Sequence, residues 1–125
     1  MKFSDYLNES ETKVQPKTKK ELERIISNAI REKGYDCDLN FIDTNLISDM
    51  SDLFNDIPFN GDISKWNVSN VKNMDTMFSD SNFNRDISNW NVSNVEQLML
   101  YRFVYKNLIR LNSLKFYLNQ NKIKI

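Results

Sequence analysis

FNGDISKWNVSNV at residues 59–71 returns at residues 83–95 as FNRDISNWNVSNV, with eleven identities in thirteen positions at an offset of 24. The two exceptions are Gly61/Arg85 and Lys65/Asn89. A third, degenerate copy precedes them: YDCDLNFIDTNLISDMSDLF at 35–54 falls in register with Asp38 on Asp62, Leu39 on Ile63, Ile42 on Trp66, Ile47 on Val71, Met50 on Met74 and Phe54 on Phe78. Units of this length cannot bury an apolar face alone and must stack on a neighbour. The expected fold is therefore α/β, a short solenoid of about three 24-residue coils with an N-terminal capping helix and a C-terminal helix. Within a unit, Val71, Met74, Met77 and Phe78 share one face of about two helical turns, which Ser69 or Asn70 would cap. Ile63, Trp66 and Val68, bounded by turn-type Asn, Asp and Gly, predict a short strand over 62–68 and its equivalent over 86–92.

The flanks divide the chain further. Residues 1–17 read as an N-terminal segment and linker ending in a polar stretch with Pro16, while 18–34 predict the capping helix. There Leu22, Ile25, Ile26, Ala29 and Ile30 lie at helical spacing, with Thr18 and Glu21 as a capping box and Gly34 at the stop. The exposed face of the first coil, around Leu39, Ile42 and Ile47, is its expected partner. Residues 35–95 form the repeat region. After Val95 the unit pattern breaks off, and Leu98, Tyr101, Tyr105, Leu108, Leu111, Leu114 and Leu118 predict a helix from about 96 to 119. Residues 96–125 are read either as a helical cap or as an unpacked basic tail of out-of-frame character.

Composition narrows the function. There is no histidine and only Cys37 among 125 residues, which excludes Ser-His-Asp and HExxH chemistry, an intrachain disulfide and a cysteine-clustered zinc site. The two glycines, Gly34 and Gly61, build no phosphate-cradling loop. Adjacent Ser64 and Lys65 point to opposite faces of a strand and do not make a Ser-Lys catalyst. An enzyme is not expected, nor any cofactor.

Charge is balanced overall but split by segment: net +2 over 1–34, −7 over 35–95 with ten Asp, and +5 over 96–125. The acidic middle is the expected protein-binding surface. Its exposed recurring positions, Asp62, Lys65, Asn67, Arg85, Asp86, Asn89 and Asn91, are the candidate contact residues. Asp38, Asp62 and Asp86 would stack into a carboxylate column, but capping of their own turns is the expected role and no metal is assigned. Trp66 and Trp90 are expected to fill the core rather than stack a ligand. The basic, aromatic-interleaved tail fits no nucleic-acid reading pattern, so nucleic acid is not an expected partner. Without an apolar run of membrane-spanning length or a secretory leader, the chain is expected to be cytoplasmic, and Asn67 and Asn91 in their NVS sequons are expected to stay unglycosylated. With so few coils, oligomerisation is a further expectation.

The unit FNGDISKWNVSNVKNMDTMF resembles the repeat of the BspA-type leucine-rich-repeat surface proteins, also described as the mycoplasma lipoprotein-type repeat, whose units run close to FNxDISxWNVSNVxNMxxMF. The match is specific over 59–95 and weaker over 35–58. The resemblance implies a leucine-rich-repeat-like solenoid and a non-enzymatic, adhesion-type role through binding other proteins. The opening MKFSDYLNE is similar to openings of head and structural proteins of large tailed bacteriophages. That similarity implies the alternative of a phage structural or internal virion protein, found in the virion or the host cytoplasm, with the repeat as scaffold.

Overall fold

The structure is a computed structural model that describes residues 13–98. One helix, α1, spans Lys19–Lys33. Thr18 caps it, its Oγ1 accepting from the Glu21 amide at 3.1 Å. The Glu21 carboxylate reaches back past the cap to accept from the Lys17 amide at 3.2 Å, one residue earlier than in a reciprocal capping box. Arg31 and Lys33 stand in the last turn, where cations oppose the helix dipole. At Gly34 φ is +93°, a left-handed region that glycine enters without a Cβ clash, and its amide donates to the Ile30 carbonyl at 2.7 Å. Leu22, Ile25, Ile26 and Ala29 form the buried stripe and belong to one core with Leu39, Ile42 and Ile47. Just before α1, Val14 pairs with Ile42: the Val14 amide donates to the Phe41 carbonyl at 3.0 Å, and the Asp43 amide donates to the Val14 carbonyl at 2.7 Å.

The expected α/β class is corrected. Among the described residues there is one helix, no strand and no sheet, so the leucine-rich-repeat-like solenoid with a strand and a helix in each coil is not what the chain forms. The pairings between units are isolated parallel bridges, Asp38 to Asp62, Asp49 to Asn73 and Asn73 to Gln97. Each lies at the 24-residue offset of the sequence.

The predicted strands fail because their backbone bends too often. In 62–71 the Trp66 amide donates back to Ile63 and the Val71 amide back to Val68, at 3.2 and 3.0 Å, leaving no extended run of outward donors. The predicted helix over 71–78 fails for a different reason. Apolar spacing of three and four residues is also produced by consecutive three-residue turns, and here Met77 donates to Met74, Ser79 to Thr76 and Ser81 to Phe78. The alternate amides of the preceding unit leave their own segment altogether: Asp52, Phe54 and Asp56 donate to the carbonyls of Asp75, Met77 and Ser79 at 2.9–3.0 Å. Residues in positive φ make this alternation possible, Asp52 at +59° and Asp56 at +62° in one unit, Thr76 at +52° and Asp80 at +54° in the next.

The core is built from the positions that align between units. Phe54 and Phe59 stack at 4.3 Å, Phe78 and Phe83 at 4.4 Å, and the two pairs lie over one another at 5.7 and 6.2 Å with planes within 1°. Trp66 and Trp90 are buried, and their indole N–H groups donate to the Leu39 and Ile63 carbonyls of the preceding unit at 2.9 and 3.0 Å. The pattern continues past Val95, where unit identity stops. Glu96 and Gln97 donate to the Lys72 carbonyl as Lys72 and Asn73 donate to that of Ser48. Beyond Leu98 the helix expected to 119 lies outside the described residues, as do the opening MKFSDYLNE and the basic tail.

Candidate functional site

The acidic middle of the chain is organised by Asx turns, at three places in each of the first two units and at two in the third. Asp38, Asp43 and Asp49 accept from the amides two residues on, at Asn40, Asn45 and Ser51, with distances of 2.7–2.9 Å. Asp62, Asn67 and Asn73 do the same for Ser64, Ser69 and Asp75. Asp86 and Asn91 repeat it for Ser88 and Ser93. The short side chains of Asp and Asn thus stand in for a backbone acceptor at each corner, which is why these residue types recur at this spacing.

Most of the expected contact residues are therefore engaged by the fold. Asp62 also accepts from the Ser64 hydroxyl at 2.7 Å, and Asn67 and Asn91 accept from the hydroxyls of Ser69 and Ser93. The Asn67 Nδ2 donates to Asn45 Oδ1 at 2.9 Å, joining two units. The Lys65 amide donates to Asn40 Oδ1 at 2.9 Å, leaving its exposed side chain to solvent. Arg85 folds onto its neighbour, its Nε donating to the Asn60 carbonyl at 3.0 Å, while Asp86 and Asn89 are exposed. Lys65, Asn67, Arg85, Asp86, Asn89 and Asn91 are exposed and Asp62 is half-buried. Among the described residues no group of three or more Asp, Glu, Cys or His could hold a metal ion.

Electrostatics follow the turns. The Ser64 amide and hydroxyl, with help from Asn40 and the charge of Arg85, hold the Asp62 carboxyl down to about 2 from its ordinary 3.8. The Ser88 hydroxyl and amide pull the exposed Asp86 carboxyl down as well. Burial raises the Asp49 carboxyl, but Ser51 and the nearby Lys19 ammonium more than reverse that. Burial drives the Cys37 thiol up to about 11, so it is a core side chain rather than a nucleophile.

A depressed carboxylate stabilises the fold above its unfolded-state value and loses that contribution as pH falls through the folded one. Stability should accordingly decline from about pH 4 towards pH 2, the Asp62 share amounting to roughly 1 kcal/mol after solvent screening. Acid titration of the melting temperature checks this. Asp62→Asn keeps the turn acceptor and should flatten that part of the curve; an unchanged acid limb would remove Asp62 from the account.

A feature that sequence reasoning missed lies between α1 and the first unit. Ile26 and Ile30 of the helix face Leu53 and Ile57 across a groove of 370 Å³, with Glu23 and Tyr35 also lining it. Tyr35 is 51% exposed, the largest exposure among the described bulky apolar side chains. The available signal was a bulky aromatic placed directly after the helix-stopping Gly34, where a loop normally carries polar residues.

Stacked turns, a covering helix and a surface of Asx corners define a class of small, turn-built chain. The sequence matches the family described as Mycoplasma protein of unknown function, DUF285, over residues 20–117, and the chain belongs to that family. No curated protein and no solved structure matches it. Among the described residues no helix is long and apolar enough to cross a membrane.

Proposed function

We propose that the chain is a non-enzymatic protein-binding module that engages a basic surface of its partner through the acidic face of residues 35–95. The observation that carries this reading is the placement of charge. Ten Asp stand against three basic residues in this segment, and Asp36, Asp38, Asp52, Asp56, Asp80 and Asp86 are exposed. The Asx turns and inter-unit bonds fix the backbone beneath these carboxylates, so a partner meets a pre-organised field at little ordering cost. A field of one sign governs the rate and selectivity of encounter more than the final affinity.

The test is a fold-preserving charge removal. Asp52 and Asp56 lie at positive φ, where asparagine is well tolerated, and at Asp86 asparagine retains the acceptor used by Ser88. The variant Asp36→Asn/Asp52→Asn/Asp56→Asn/Asp86→Asn should keep its circular dichroism spectrum and melting cooperativity. Capture of the partner from extract of the cells that carry the gene should fall at least about fivefold, as should capture by the unchanged chain at raised salt. Capture indifferent to both changes would overturn the reading.

A further inference from the structure

We infer that the groove between α1 and the first unit receives an apolar side chain of a partner polypeptide that carries lysine or arginine on its flanks; this rests on the protein-binding reading above. The groove supplies the apolar half of the recognition. Ile26, Ile30, Leu53 and Ile57 line it, and half-exposed Tyr35 offers a ring that can cover a guest side chain while its hydroxyl stays in water. Its 370 Å³ lies near the lower end of the range of about 300–1,000 Å³ for ligand pockets, room for one or two side chains and not for a domain edge.

Charge supplies the other half. Residues 34–64 carry seven Asp and no Lys or Arg, so the unit's own contribution to the groove is acidic, with the Lys19 ammonium of α1 reaching the unit at Ser51 Oγ, 3.0 Å away. Asp36, Asp52 and Asp56 are exposed chain neighbours of the lining residues Tyr35, Leu53 and Ile57. On the helix side Glu23 lines the groove, and exposed Arg24 and Arg31 are likewise chain neighbours of the lining residues Glu23 and Ile30, so the rim carries four carboxylates against two guanidinium groups. A guest that seats its apolar side chain must run its flanks through this field, which attracts ammonium or guanidinium groups and repels carboxylates.

The test uses the full chain and three fluorescein-labelled peptides read by fluorescence polarisation: one of leucine and lysine, one with each leucine replaced by serine, and one with each lysine replaced by glutamate. The leucine–lysine peptide should bind, the serine–lysine peptide at least about tenfold more weakly, and the leucine–glutamate peptide not at all. Glu23→Lys and Tyr35→Lys, both at exposed positions, should each weaken leucine–lysine binding by at least about fivefold without lowering the melting temperature. Equal binding of the serine–lysine peptide, or indifference to both variants, overturns the groove and leaves the acidic-face reading standing. Failure of both lysine peptides, together with partner capture indifferent to the fourfold Asp→Asn change, overturns both. A concentration-dependent dimer that the leucine–lysine peptide dissociates makes a second copy the occupant and overturns the partner proposal.

Discussion

Gly61→Ala is expected to destabilise the protein by about 3 kcal/mol, lowering the melting temperature by roughly 10–20 °C for a chain of this size. The backbone at Gly61 is pinned from both sides. The Asn60 amide donates to the Tyr35 carbonyl at 2.8 Å and the Asp62 amide to the Cys37 carbonyl at 3.2 Å. A Cβ on residue 61 would overlap that same Cys37 carbonyl oxygen and lie 2.5 and 2.7 Å from two ring atoms of Phe59. Neither neighbour can yield cheaply, since one is bonded backbone and the other a fully buried ring stacked on Phe54. The equivalent position of the next unit holds Arg85, and the difference has a structural cause. There the amide of Asn84 donates to the side-chain Oδ1 of Asn60, at 2.8 Å, so a side chain is interposed where the first pair has backbone against backbone. Arg85→Gly should therefore cost little beyond its bond to the Asn60 carbonyl and the extra freedom of glycine, about 1 kcal/mol. Thermal melts of the two variants check the asymmetry; a Gly61→Ala chain that melts with the parent would show that the contact relaxes freely.

That asymmetry also shows what could be read from residues alone. The Gly61/Arg85 exception is visible in the repeat, but its reason depends on how the segment leaving α1 approaches residue 60, which is a long-range fact. Helix α1 was legible because every signal for it is local: Thr18 at the cap, an apolar stripe of 3.6-residue period, Gly34 at the stop. The core positions were legible because period and hydrophobicity coincide, and Ile63, Trp66, Val68, Val71, Met74 and Phe78 are all buried. The secondary structure of the units was not legible. Met74, Met77 and Phe78 have helical spacing, yet positive φ at Thr76 and Asp80 turns the same spacing into a chain of tight turns. Only the partner unit decides between these, by accepting the alternate amides that a helix would keep for itself. Of the expected contact residues, Lys65, Asn67, Arg85, Asp86, Asn89 and Asn91 are exposed and Asp62 is half-buried. Their side-chain roles were hidden, because an Asx turn looks in sequence like any polar loop. The groove was hidden for the opposite reason, since Ile30 and Ile57 are ordinary apolar residues until the helix is laid across the turns.

Phe54→Ala is expected to cost about 3–5 kcal/mol, the range for emptying a fully buried aromatic site, and to leave the chain largely unfolded at modest denaturant. Phe54 is wholly buried and meets three rings: Phe59 at 4.3 Å, Phe78 at 5.7 Å and Trp66 at 6.0 Å. Its amide also donates to the Met77 carbonyl, so the side chain and backbone of one residue hold the same pair of units together. The cavity cannot collapse easily, because the rings around it are positioned by those inter-unit bonds rather than by side-chain packing alone. A double-mutant cycle separates ring stacking from simple loss of volume. Phe54→Leu and Phe78→Leu should show a coupling of about 0.5–1.5 kcal/mol, since their rings lie parallel across the unit boundary. Phe59→Leu and Phe83→Leu should couple similarly, through the second parallel pair at 6.2 Å. If both cycles were additive within about 0.3 kcal/mol, the aromatic columns would be filling space without binding one unit to the next, and the inter-unit backbone bonds and the Trp66 and Trp90 indole bonds would carry that role alone.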